Sequence, residues 1–176
     1  MKAAVYKGKQ KLEVMDVDMP QPDVNEVLIK VKYCAICGTD VHAFMYDVPP
    51  AGTVMGHEFS GTIVKAGQKV TRLKEGMRVV GGGGSPPPGK ERPMQVAPRF
   101  EYSKQGFSGR MQAYAEYVIM DDWAPIPIPE GVSDKEAALC EPTAVAVHAV
   151  RKSELKLGDS IVIFGAGPIG MFTIQV

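Results

Sequence analysis

The chain has 176 residues with 20 Lys plus Arg against 20 Asp plus Glu, and 45% of it is hydrophobic. A neutral chain without a basic run gives no electrostatic reason to expect nucleic acid, and no apolar stretch is long enough to span a bilayer. Its length allows one good core and a piece of a second. Its three cysteines are too few for a disulfide scaffold. With no apolar signal-peptide core after Met1, the expected setting is cytoplasmic, with thiols free for metal or redox work.

Taken in chain order, residues 2–6 and 11–15 read as short strands around a turn at Gly8. Val27, Ile29, Val31 and Tyr33 alternate with Leu28, Lys30 and Lys32, the period-two signature of a half-buried strand. Residues 59–66 and 76–80 read as further strands broken at Gly67 and Gly76. A strand is also expected over 111–120, with Met111, Ala113, Ala115, Tyr117 and Ile119 on one face. Between these last two lies a Gly/Pro-rich stretch from Gly81 to Gly109, a loop of functional length. Fourteen prolines, clustered at 20–22, 49–50, 86–98 and 125–129, argue against a helix bundle. Many short strands with Gly/Pro turns point to a β-barrel or sandwich.

The pattern changes at Gly131. Ser133-Asp134-Lys135-Glu136 is a capping box opening a short helix. Pro142 suits the first turn of a second helix that runs to about Val150. Ile161-Val162-Ile163-Phe164 is a continuous apolar run, as expected of a buried parallel strand. Gly165-Ala166-Gly167-Pro168-Ile169-Gly170 and an apolar helix start follow. This GxGxxG sits in the strand–turn–helix context a dinucleotide fingerprint needs. It asks for a tight turn at Gly165, close approach to a pyrophosphate at Gly167, and close helix–strand packing at Gly170. The helix N-terminus would then face the phosphates. The residue that separates NAD from NADP would lie ~20 positions further on.

Cys37-Gly38-Thr39-Asp40-Val41-His42 and Gly56-His57-Glu58 are the strongest local signals. A catalytic zinc takes three protein ligands of Cys, His or carboxylate type and keeps one position open. Cys37, His57, Glu58 and Glu141 supply such a set. Asp40 is the candidate acceptor that would orient the second imidazole nitrogen of His57. His57 and Glu58 are neighbours and would point to opposite sides of a regular strand. Both can ligate only if the backbone is irregular there, or if one replaces the other. Cys34 reads as a small buried hydrophobe, and Cys140 as either ligand or core. His148 follows Glu141 at about 10 Å along a helix, too far to share one ion, and reads as a packed helix residue.

In order and spacing, CGTDVH, GHEFSG, CEPTAVAVHAV and GAGPIG resemble the zinc-dependent medium-chain alcohol dehydrogenases, over essentially the whole chain. The sorbitol and 2,3-butanediol dehydrogenase branch is the most similar. The resemblance implies a mainly β fold: a GroES-like β-barrel catalytic domain over residues 1–150. Residues 151–176 would be the first strand and partial helix of a Rossmann domain, so the chain reads as the N-terminal part of such an enzyme. It implies Cys37 and His57 as direct zinc ligands, Glu58 as a direct ligand in the sorbitol-type branch, and Glu141 as a last position filled directly or through water. Thr39 matches the hydroxyl that receives the substrate proton, and His42 the exit of that relay. Gly165, Gly167, Pro168, Ile169 and Gly170 match the coenzyme fingerprint.

The implied activity is hydride transfer between a secondary alcohol, a polyol or small diol, and NAD or NADP. The implied partners are that small molecule and further copies of the chain. Many relatives also carry a structural zinc on four closely spaced cysteines. The corresponding stretch here has no cysteine, so one catalytic zinc and no structural zinc are expected. A zinc-free quinone reductase on the same fold, or a non-enzymatic GroES-like module, is the alternative.

Overall fold

The computed structural model of the chain describes residues 1–81 and 112–176. Two antiparallel sheets make up its N-terminal part. The smaller pairs β1 (Lys2–Tyr6) with β2 (Leu12–Asp16) around the expected turn, where Gly8 has φ +80°. The larger contains β3 (Glu26–Ala35), β4 (Glu58–Ala66), β5 (Arg78–Val80), β6 (Tyr117–Asp121) and β7 (Ile126–Pro127). Its strand order is β6-β3-β4-β5-β7. The two edge strands, β6 and β7, are therefore consecutive in the chain and joined only by residues 122–125. So short a connection cannot cross a flat five-stranded sheet, in which neighbours lie about 4.8 Å apart, so the sheet must curl toward closure. Arg72 clamps that connection by donating to the carbonyls of Asp122 and, at 2.8 Å, Pro125.

The interior of the curl is the main core, built from Val27, Ile29, Phe59, Ile63, Leu73 and Val79 with Val118 and Met120. β3 and β4 supply alternate residues to it, as the period-two pattern demands. The strand expected over 111–120 is shorter, beginning only at Tyr117: Val118 and Met120 join this cluster, while Ile119 is buried outside it. Ala113 joins the core too, so the chain changes face between 113 and 118. The smaller sheet packs its own cluster of Ala3, Val5, Val17 and Val54. Single bridges, Ala3 to Ala115 and Val5 to Val54, fasten it to the segments that flank the large sheet. The expected loop over 81–109, beyond Gly81, lies outside the described residues.

Four helices complete the fold among the described residues. The helix α1 (Gly38–Met45) has no counterpart in the sequence expectations. The Ser133 capping box forms as expected at α2 (Asp134–Ala137). This helix docks on the sheet through Ser60, which donates to the Asp134 carbonyl at 2.6 Å, and Arg78, whose Nε meets the Asp134 carboxylate at 2.8 Å. The second expected helix is α3 (Cys140–Lys152), with Pro142 in its first turn. The last is α4 (Pro168–Gln175), which packs on α3.

The apolar run 161–164 pairs with no strand among the described residues. A strand exists only through its ladder partners, so the segment is extended sequence without a sheet. Its side chains are mostly open to solvent accordingly, with Phe164 95% exposed and Ile161 and Val162 exposed; Ile169 and Ile174 of α4 are exposed as well. No helix among the described residues is long and apolar enough to cross a membrane.

Candidate metal centre

Ala35 at the end of β3 pairs with Glu58 at the start of β4. Cys37 lies just past the first and His57 just before the second, so the ladder brings the two sequence motifs to one end of the sheet. One ligand atom each from Cys37, His57 and Glu58 all lie within 4.8 Å of one another. The local backbone explains how neighbouring His57 and Glu58 can converge. β4 begins only at Glu58, and Gly56 has φ +95°, so His57 sits on a bend rather than in the alternation of a strand. Both residues therefore reach one point, which a regular strand forbids.

Thiolate, imidazole and carboxylate are together the donor types of catalytic zinc sites, three protein ligands with room for one more. Glu58 is only 6% exposed, and among the described residues no salt bridge reaches it. A buried carboxylate without a countercharge is costly, and a divalent cation among these three atoms would neutralise it. The donor set thus fits the metal. Glu141, in the first turn of α3, is partly buried but not a member of this three-atom set. Cys140 is exposed, and so is His148, which was expected to be packed.

Asp40 organises the site. Cys37 is the N-cap of α1: its Sγ accepts from the Thr39 N–H at 3.4 Å, while Asp40 accepts from the Cys37 N–H at 3.1 Å, forming a capping box with sulfur in the hydroxyl's place. The other carboxylate oxygen of Asp40 accepts from the Gly56 N–H at 3.3 Å and faces His57 Nδ1 at 3.8 Å. The expected role beside His57 is therefore matched in placement, at a distance longer than a direct hydrogen bond. Tyr114, for which no local sequence signal exists, donates its hydroxyl to Asp40 at 2.8 Å. Burial first, then the hydrogen bond and charge of Asp40, push the Tyr114 phenol above its ordinary pKa, so it stays a donor.

Cys34 packs partly buried against the main core. Its thiol is pushed up to about 12, first by burial and then by the negative charges of Asp40 and Glu58. It is thus a protonated neighbour of the site. Thr39 and His42 lie three apart on α1, hence on one face, and both are exposed.

At the other end of the chain, Gly165 has φ +106°, the left-handed conformation of a tight turn. A Cβ on Gly170 would stand 2.0 Å from the Gly165 carbonyl oxygen, so this close helix-to-turn approach requires glycine. Gly167 caps α4 with Pro168 at its first position.

A β domain with a Cys, His and Glu donor set at one sheet end defines a metal-binding class of protein. The family pattern described as "Alcohol dehydrogenase GroES-like domain" matches residues 23–130. The chain is 35% identical to (R,R)-butanediol dehydrogenase of Bacillus subtilis over 99% of its own length and 54% of that enzyme's. It is also 35% identical to sorbitol dehydrogenase of Halalkalibacterium halodurans, over 100% of its length and 53% of that enzyme's. The X-ray structure of 2R,3R-butanediol dehydrogenase from Bacillus subtilis superposes with a TM-score of 0.78 at 32% identity, covering 99% of this chain and 53% of that one. The chain belongs to the zinc-dependent medium-chain alcohol dehydrogenase family, with the GroES-like fold at its N-terminus and the start of a Rossmann domain after it. It spans about half the length of the curated relatives it matches.

Proposed function

We propose that this chain carries the zinc site of a nicotinamide-linked dehydrogenase acting on a secondary alcohol, a polyol or small diol. The observation that carries this reading is the convergence of Cys37, His57 and Glu58 within 4.8 Å. Residues 1–150 form the catalytic domain and 151–176 the opening of the coenzyme domain. Cys37, His57 and Glu58 would hold one zinc, with Glu141 as a further ligand directly or through water. The chain has three cysteines in all, too few for the four-cysteine structural zinc site of its relatives, so a second, structural zinc is not part of the reading.

When bound, zinc supplies Lewis acidity to the substrate oxygen, and NAD or NADP supplies the hydride acceptor. The residues of the chain handle the proton and the binding. Thr39 can accept a proton from the substrate hydroxyl while donating its own, because a hydroxyl does both. His42, one helical turn on and exposed, can pass it to water, since a neutral imidazole accepts a proton on one nitrogen and donates from the other. Asp40 holds the backbone of both ligand segments. Gly165, Gly167, Pro168, Ile169 and Gly170 shape the turn and helix start that would receive the coenzyme's pyrophosphate. A cytoplasmic location and assembly with further copies belong to the same reading.

Metal analysis of the full chain tests it. One zinc per chain is expected, and Cys37→Ser should lose most of it, because a neutral hydroxyl replaces a thiolate. Full zinc retention in that variant would refute the ligand assignment, and two zincs per chain would refute the single-site reading.

A further inference from the structure

We propose that Tyr114 is a positioning residue for the metal centre, its hydroxyl fixing Asp40 in the one orientation that serves both ligand-bearing segments. This rests on the reading that Cys37, His57 and Glu58 hold zinc, and it adds a residue that belongs to none of the site's motifs.

The geometry assigns each lone pair of Asp40. One oxygen takes the Tyr114 hydroxyl at 2.8 Å and the Cys37 N–H at 3.1 Å. The other takes the Gly56 N–H at 3.3 Å and faces His57 Nδ1. Asp40 is 7% exposed, so water cannot freely substitute for a lost donor. Rotating the carboxylate would release the backbone beside two ligands at once, and the Tyr114 bond is the one side-chain hydrogen bond among the described residues that opposes this rotation.

Tyr114 is itself anchored. Its N–H donates to the Met55 carbonyl at 2.9 Å, and its own carbonyl accepts from the Ala4 N–H at 2.8 Å. Its ring covers Gly56 so closely that a Cβ there would meet ring carbons at 2.6–2.9 Å. The tyrosine therefore fills the only space a side chain at 56 could take and places its oxygen on Asp40. Outer partners of metal ligands typically govern affinity by 10–100-fold.

The test uses the full chain and measures zinc affinity by competition with a chromophoric chelator. Wild type, Tyr114→Phe, Asp40→Asn and the double variant are compared, each also loaded with Co2+ to record its ligand-field and thiolate charge-transfer bands. Phenylalanine keeps the ring over Gly56, and the thermal midpoint of each apoprotein reports whether the fold is kept. Expected are an affinity loss of about 10–100-fold in Tyr114→Phe, an altered cobalt spectrum, and a double variant little worse than Asp40→Asn alone. Asp40→Asn leaves the tyrosine in place, so where Tyr114→Phe folds poorly an unchanged zinc affinity and cobalt spectrum in Asp40→Asn would still overturn the proposal.

Affinity within twofold of wild type and an unchanged cobalt spectrum in Tyr114→Phe would overturn the proposal while leaving the zinc reading intact. Additive losses in the double variant would also overturn it, since the tyrosine would then act by another route. A wild-type chain that binds no zinc would overturn the zinc reading and this inference together.

Discussion

Replacing Gly56 by alanine isolates the bend on which the site depends. Two separate costs apply. The backbone has φ +95°, and an L-residue held on the left-handed side costs about 1–2 kcal/mol. The new methyl would also stand 2.6 Å from Tyr114 Cδ1, 2.8 Å from Cε1 and 2.9 Å from Cγ. Because Cγ is the root of the ring, rotation of the ring alone does not relieve the clash, and moving the whole side chain breaks its bond to Asp40. Overpacking of this kind costs about 1–3 kcal/mol. The sum is about 2–5 kcal/mol, a large share of the ~5–15 kcal/mol typical of a domain. Gly52→Ala provides the control: its φ is +97°, yet nothing lies within 4 Å of its added Cβ, so it carries the backbone cost alone. Urea unfolding of both variants should place Gly56→Ala below Gly52→Ala by about 1–3 kcal/mol, with unchanged slope. Equal destabilisation in the two variants would refute the packing argument, and no destabilisation in either would refute the conformational one.

Two further predictions concern chemistry. In the enzyme assembled with its coenzyme domain, Thr39→Val should retain zinc while losing about 10²–10⁴-fold in kcat; activity within a factor of about two of wild type would remove Thr39 from the proton path. The three cysteines should alkylate in a set order, read by peptide mass spectrometry: exposed Cys140 first, Cys37 only when zinc is stripped, and Cys34 last, because its thiol is held up to about 12. The sign follows from the raised value. The protonated Cys34 thiol stabilises the fold fully below the thiol's unfolded pKa, and that contribution is lost as pH rises toward 12. Rapid labelling of Cys34 at pH 8 would contradict this ordering.

What could be read from the residues alone was what repeats locally or stands contiguous. The alternation in 27–33 and the Ser133 capping box each announce themselves within a few positions, and each forms; of the glycine-rich segment, the turn at Gly165 and the helix from Pro168 form, without the strand expected before them. The candidate ligands Cys37, His57 and Glu58 were legible as types, and their convergence followed once Gly56 supplied the irregular backbone that the His57–Glu58 adjacency requires, whereas Glu141 does not join them. α1 was not legible, because its cap is a cysteine rather than Ser, Thr, Asp or Asn, so the box of Cys37 and Asp40 carried no familiar start signal. β7 is two residues long and contains a proline, and its one strand partner among the described residues is β5. The facing of β6 depended on a shift of face between 113 and 118 that periodicity cannot locate. The run 161–164 has a strand's composition, but its partners are not among the described residues. Tyr114 escaped notice for the plainest reason: its meaning lies in a contact across 74 residues.

That separation also sets an order of events at synthesis. Chains grow at about 5–20 residues per second, so Tyr114 leaves the ribosome roughly 4–15 s after Asp40. For most of that interval Cys37, His57 and Glu58 already exist, and every residue of the β3–β4 ladder that gathers them has been made. A nascent chain would thus offer a thiolate, an imidazole and a carboxylate to any divalent ion before the tyrosine can tighten their frame. Affinity alone favours copper over zinc at such donors, so which metal enters first is decided by what the cell leaves free around its ribosomes.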